Sequence, residues 1–79
     1  MRNKEYRELG ERLEGYKQDK IDENRYEIVK KENRLEMVGV IKYSSELGRY
    51  VYNSYEDEEY TEEDLEEISK YVREINNGI

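Results

Sequence analysis

Apolar residues recur along this chain with two different periods, and the change of period divides it. Over residues 3 to 16, Tyr6, Leu9, Leu13 and Tyr16 fall at i, i+3, i+7 and i+10, one stripe of helical period. Asn3 stands where a cap belongs, and Glu8 with Arg12 and Arg7 with Glu11 form i,i+4 pairs of about 0.2 to 0.5 kcal/mol each. Gly10 and Gly15 oppose the helix at about 1 kcal/mol apiece relative to alanine. The spacing therefore predicts a helix that depends on docking and ends near Gly15. Residues 16 to 24 carry a single aliphatic residue, Ile21, and are expected to form a connection, either irregular or partly helical.

From Arg25 the period falls to two. Tyr26 and Ile28 alternate with charged neighbours, residues 31 to 34 (KENR) have turn character around Asn33, and Leu35, Met37, Gly39, Ile41 and Tyr43 share one face, the signature of a hairpin. A rival helix through Ile21, Ile28 and Leu35 at heptad spacing does not accommodate the β-branched, glycine-containing run from Val38 to Ile41. Residues 44 to 48 (SSELG) read as a second turn. Residues 49 to 55 (RYVYNSY) read as a strand with Tyr50 and Tyr52 facing one way and Val51, Asn53 and Tyr55 the other, rich in residues that suit a pleated surface. Thr61 with Asp64 three residues on is a capping box. It opens a last helix whose Leu65, Ile68, Val72 and Ile75 repeat the stripe of the first, and Asn77 with Gly78 supplies its stop.

The fold expected from this pattern is α+β: an N-terminal helix, a three-stranded antiparallel meander and a C-terminal acidic amphipathic helix. Both helices lie on the one buried face of the sheet, in a single domain spanning residues 1–79. Its core is expected to gather Leu65, Ile68, Val72 and Ile75 with Leu9, Leu13, Met37 and Ile41.

Composition changes that picture in one respect. Sixteen Leu, Ile and Val, no Phe and 44% charged residues put the chain at the border of disorder. Nine tyrosines bring it back, since each supplies a large apolar ring with a hydroxyl that reaches water or a partner. Without cysteine there is neither a disulfide framework nor a thiolate metal site. The first fifteen residues have no apolar signal core, and the longest uncharged apolar run, Met37 to Ile41, is far too short to span a bilayer. The compartment expected is the cytoplasm.

Charge changes it more. In the stretch from Glu56 to Glu67, EDEEYTEEDLEE, nine of twelve residues are carboxylates. That stretch carries more than the whole formal charge of -7, so the remainder is nearly neutral. A negative protein is repelled by nucleic acid and by anionic membranes, which leaves basic proteins as partners. Catalytic chemistry finds little to work with: there is no His, no Cys and no glycine-rich phosphate loop. Ser44 and Ser45 have no base to activate them. A carboxylate pair for acid–base work needs one member in an apolar pocket, whereas these acids sit in a run that must be solvated. The chain reads as a non-enzyme without a cofactor. Clustered acids could attract a divalent cation, but no calcium-loop spacing is present, and no metal site is assigned.

Acids in the first helical turn are favourable because of the helix dipole, and a solvated face is the plain reading of the run. The dipole benefit does not reach Glu56 to Glu59 or Glu66 and Glu67. In a helix, Glu62 with Glu66 and Glu63 with Glu67 are like-charged i,i+4 pairs costing about 0.2 to 0.5 kcal/mol each. Solubility explains such self-repulsion; so does a partner. Carboxylates one helical turn apart, about 5 to 6 Å, approach the spacing of phosphates along one nucleic-acid strand, so a basic nucleic-acid groove could accept them. Most of the tyrosines around the run are expected to pack on the sheet. Tyr55 and Tyr60, which flank the acids, are the candidate interface anchors. The candidate partner-binding set is therefore Tyr55, Glu56, Asp57, Glu58, Glu59, Tyr60, Glu62, Glu63, Asp64, Glu66 and Glu67.

A short, acidic, tyrosine-rich chain without cysteine, ending in a helix that opens with EDEEYTEEDLEE, resembles the small phage-encoded anti-CRISPR proteins that block Cas9. The resemblance lies in size, acidity and element order, with no motif, so no residue role carries over. It implies an inhibitor acting as a DNA mimic, in host cytoplasm, on a basic nucleic-acid-binding protein or nuclease. Such an inhibitor would make no direct contact with nucleic acid or membrane and would be a monomer or weak homodimer. The alternative is a small phage or bacterial accessory module, associating through its sheet, whose acids serve solubility.

Overall fold

A computed structural model describes residues 5–18 and 24–78. Five strands, Arg7–Leu9 (β1), Leu13–Gln18 (β2), Arg25–Lys30 (β3), Asn33–Ser44 (β4) and Arg49–Ser54 (β5), are followed by one helix, Glu62–Asn76 (α1). The strands form a single antiparallel sheet in the order β1-β2-β3-β4-β5, and α1 lies across one face of it.

The expected N-terminal helix is thus replaced by a hairpin, and the expected three-stranded meander has five strands. The reason lies in Leu9 and Leu13. A three-residue loop pairs them directly across β1 and β2, so residues four apart in sequence meet across a hairpin as they would along one helical turn. Gly10 settles which structure forms, because it turns at φ 76°, in the left-handed region that glycine enters without steric cost. Residues 16 to 18, expected in a connection, belong to β2; the rest of that stretch, 19–23, lies outside the described residues.

The β3–β4 hairpin carries an irregularity that the alternation did not show. Lys30 pairs with Asn33 around a two-residue turn, but Val29 pairs with Met37 and Ile28 with Gly39. Arg34, Leu35 and Glu36 therefore swing out of the ladder, and Val38 is an extra residue on β4. Bulges of this kind reset which face the following side chains occupy. Val38 enters the core while Met37, expected there, is 40% exposed.

The core on the helix side consists of Leu9, Leu13, Ile28, Val38 and Ile41 from the sheet and Ile68, Tyr71 and Ile75 from α1. Val72 is only partly buried, and Leu65, also expected in the core, is 53% exposed. Tyr71 takes the central place and needs Gly15 beneath it: a methyl group at Gly15 would overlap the Tyr71 ring and approach Ile28 Cδ1 to 3.1 Å.

Among the described residues no helix covers the other face, yet Tyr16, Val29 and Val40 are buried there together with Glu14 and Glu27. Side chains close it. The Tyr16 hydroxyl donates to Glu27 at 2.7 Å, and Gln18 Nε2 donates to the other Glu27 oxygen at 3.1 Å. Arg34, thrown out by the irregular hairpin, reaches back to grip both oxygens of Glu14 at 2.8 and 3.1 Å and stacks on Tyr6 at 3.8 Å. Tyr6 in turn meets Tyr16 edge to face at 5.2 Å. Hydrogen bonding from Arg34 holds the Glu14 carboxyl below the usual range despite its burial.

Two predictions follow from this packing. Gly15→Ala, by overfilling a closed core, should cost about 1 to 3 kcal/mol, measured by urea unfolding; unchanged stability would mean that Tyr71 does not rest on β2. The second concerns alkaline pH. Burial pushes the Tyr16, Tyr52 and Tyr71 hydroxyls up, Tyr71 to about 12, with the Glu27 carboxylate adding to the effect at Tyr16 and the Tyr60 hydroxyl at Tyr52. The folded state holds these protons more tightly than the unfolded chain, whose tyrosines ionise near pH ~10. Their contribution to stability is therefore complete below about pH 10 and is lost as pH rises through the folded values. Absorbance titration should show exposed tyrosines ionising first and the remainder only together with unfolding; a single smooth ionisation of all tyrosines in the folded protein would contradict the packing.

Candidate partner-binding site

The acidic stretch divides at Thr61. Before it, residues 56 and 57 make a turn in which Asp57 is left-handed at φ 66°, a conformation that Asp tolerates better than most residues. At Thr61 the helix begins with the expected capping box: Thr61 Oγ1 accepts from the Asp64 amide at 3.1 Å and the Asp64 carboxylate accepts from the Thr61 amide at 2.9 Å. The first turn carries Glu62, Glu63 and Asp64, where the helix dipole favours anions.

The structure separates the candidate residues into three groups. Glu56, Asp57, Glu59, Glu62, Glu63, Glu66 and Tyr55 are exposed, and Glu58, Glu67 and Tyr60 are half-buried. Asp64 is buried at 1% exposure. It takes the guanidinium of Arg12, from the β1–β2 turn, on the oxygen that also caps the helix, so it is committed to joining the helix start to the first hairpin. Glu67 pairs with Lys70 at 3.3 Å. The Tyr60 hydroxyl also turns inward, lying 2.7 Å from both the Tyr52 and Ser54 hydroxyls and donating to the Val38 carbonyl at 3.1 Å. What remains outward is a ridge of seven carboxylates, Glu56, Asp57, Glu58, Glu59, Glu62, Glu63 and Glu66, with Tyr55 beside them.

Among the described residues none of those seven has an ion-pair partner, whereas Arg7 pairs with Glu74, Lys30 with Glu36, Lys31 with Glu8 and Arg34 with Glu14. Arg12, read from the sequence as a helical partner of Glu8, sits instead in the β1–β2 turn and bonds Asp64, while Glu8 pairs with Lys31; only the closed hairpin brings Arg12 to the helix start. Also among the described residues, no group of three or more acidic side chains is arranged to hold a metal ion, and no helix is long and apolar enough to cross a membrane. Comparison with protein families, curated proteins and solved structures returns no match.

The division of the acids is testable by stability alone. Asp64→Asn strips the charge from a buried, doubly bonded carboxylate and should cost about 1 to 3 kcal/mol. Glu62→Gln and Glu63→Gln, on the exposed side of the same turn, should each stay within about 0.5 kcal/mol of the parent. Urea midpoints in which all three variants coincide would remove Asp64 from its structural role.

Proposed function

We propose that the protein is an acidic inhibitor that binds a basic nucleic-acid-binding protein, a CRISPR nuclease being the first target to examine, by presenting carboxylates where that protein expects phosphates. It would act in the cytoplasm of the host cell and needs no catalytic group. The observation that carries this reading is the uncompensated ridge. Among the described residues at least six of the eleven Lys and Arg pair with carboxylates and Asp64 is spent on the fold, yet seven carboxylates between Glu56 and Glu66 have no ion-pair partner. Solubility alone requires net charge, not its concentration on one edge of a domain. Tyr55, 39% exposed beside the ridge, supplies a rigid apolar anchor of the kind enriched at interface hot spots. Tyr60 is tied to it through the Val38 carbonyl, which accepts from both the Tyr60 hydroxyl and the Tyr55 amide.

Replacing Glu59, Glu62, Glu63 and Glu66 together by Gln leaves size and helix propensity nearly constant. It removes dipole-favoured charge and like-charge repulsion in opposed terms, each below about 1 kcal/mol, so folding should barely change. Binding to a panel of purified nucleic-acid-binding proteins that includes a Cas9-type nuclease, titrated against salt and competing duplex DNA, should behave differently. The parent complex should weaken steeply with salt and be displaced by DNA, and the fourfold Gln variant should lose it. A complex indifferent to salt, or one that the Gln variant forms at full strength, would overturn the proposal.

A further inference from the structure

The β3–β4 hairpin puts one apolar side chain into water and fixes the residues on either side of it. Leu35 is 91% exposed. Arg34 before it grips both oxygens of the buried Glu14 at 2.8 and 3.1 Å, and Glu36 after it accepts from Lys30 Nζ at 3.3 Å. The Leu35 amide donates to Asn33 Oδ1 at 3.1 Å, which holds the backbone between those two anchors. A scattered exposed leucine is ordinary on a protein surface. One whose neighbours and own amide are all engaged is a fixed knob, in a chain with only sixteen Leu, Ile and Val.

The knob is continuous with the acidic ridge. Val38 and Gly39 both turn toward α1, Val38 into the core and Gly39 under the Tyr52 phenol, so Met37 before them faces the opposite, outer side of the sheet, 40% exposed. On β5, Tyr50 and Tyr52 pack toward the helix, and alternation sends Val51, Asn53 and Tyr55 to the outer side as well. The Tyr55 amide donates to the Val38 carbonyl at 2.9 Å, which sets Tyr55 beside Met37 on adjacent strands. Leu35 at the hairpin tip, then Met37 and Tyr55, thus lead to the turn at Glu56 and Asp57, where the unpaired carboxylates begin.

We infer that Leu35, flanked by Met37 and Tyr55, enters an apolar pocket bordering the basic groove of the same target protein, and that this pocket selects the target. The inference rests on the inhibitor reading. Carboxylates placed as phosphates speed encounter and match basic nucleic-acid grooves in general. A fixed apolar side chain beside them fits only a protein whose pocket lies at the right distance from its groove. An apolar anchor bordered by charge is the usual anatomy of an interface hot spot, and an anchor immobilised before binding avoids an ordering cost at the moment of association. The adjoining carboxylates argue against an anionic membrane as the occupant, since both carry the same sign of charge.

Leu35→Ser removes the apolar side chain from a position that buries almost nothing, so the urea midpoint should match that of the parent. Its complex with the nuclease or other member of the panel that binds the parent should weaken about tenfold or more, the loss expected when a leucine no longer leaves water. The salt slope should stay that of the parent, because no charge is removed. Leu35→Met, close in volume, should restore most of the affinity. NMR relaxation of the free protein should give the Leu35 amide an order parameter near the ~0.85 of rigid backbone. Full-strength binding by Leu35→Ser, with the fourfold Gln variant of the ridge inactive, would overturn the inference and leave the inhibitor reading standing. A complex that the Gln variant keeps, or no complex across the panel, would overturn both. An order parameter below ~0.6 would overturn the inference alone, as would self-association in sedimentation that Leu35→Ser abolishes, since a second copy would then occupy the knob.

Discussion

Among the described residues a single helix has to hold down five strands, and most features of the fold answer to that shortage. Ile68, Tyr71 and Ile75 are the only α1 side chains fully packed on the sheet among its apolar residues, too few to clamp both edges by burial alone. Polar contacts do the rest: Asp64 holds the β1–β2 turn through Arg12, Glu74 holds β1 through Arg7, and Asn76 holds β5 through the Tyr50 backbone. The helix is fastened at its start to one side of the sheet and at its end to both.

The same shortage explains the opposite face. With no second helix among the described residues, Val29 and Val40 are kept dry by a layer one side chain thick, in which Tyr16, Glu27, Arg34, Glu14 and Tyr6 support one another. Buried carboxylates are tolerable there because each is fully engaged; a half-satisfied network in the same place would be worse than an apolar one. The tyrosines that composition presents as substitutes for Phe therefore have two separate duties, as core rings on the helix side and as hydrogen-bonding lids on the other.

Much of the second half of the fold was legible in the sequence. The switch to period two located β3, β4 and β5, and Thr61 with Asp64 placed the start of α1. The first half was not, because Leu9 and Leu13 satisfy a helical turn and a tight hairpin equally well, and only the left-handed turn at Gly10 separates them. The core assignment failed at Met37 for another local reason: the displaced Arg34 to Glu36 segment and the extra Val38 shift the pleat, and nothing in an alternating pattern announces such a shift. For the candidate site the acids themselves were evident, but which of them face outward depended on tertiary partners. Asp64 is removed by an arginine fifty-two positions away in the chain, and the Tyr60 hydroxyl by two others that only the folded sheet brings near it.

Asn76 occupies one rung of the β5 edge with its side-chain amide, an imitation of a neighbouring strand made by the last turn of the helix. During synthesis on the ribosome that turn emerges after the sheet, so for a short interval the edge has no stopper. Nascent chains held close together on one messenger would then meet with their strands open. Asn76 thus blunts the edge at Tyr50 as charge or a covering loop blunts edges elsewhere, so that one side chain limits the length of free strand open to another chain.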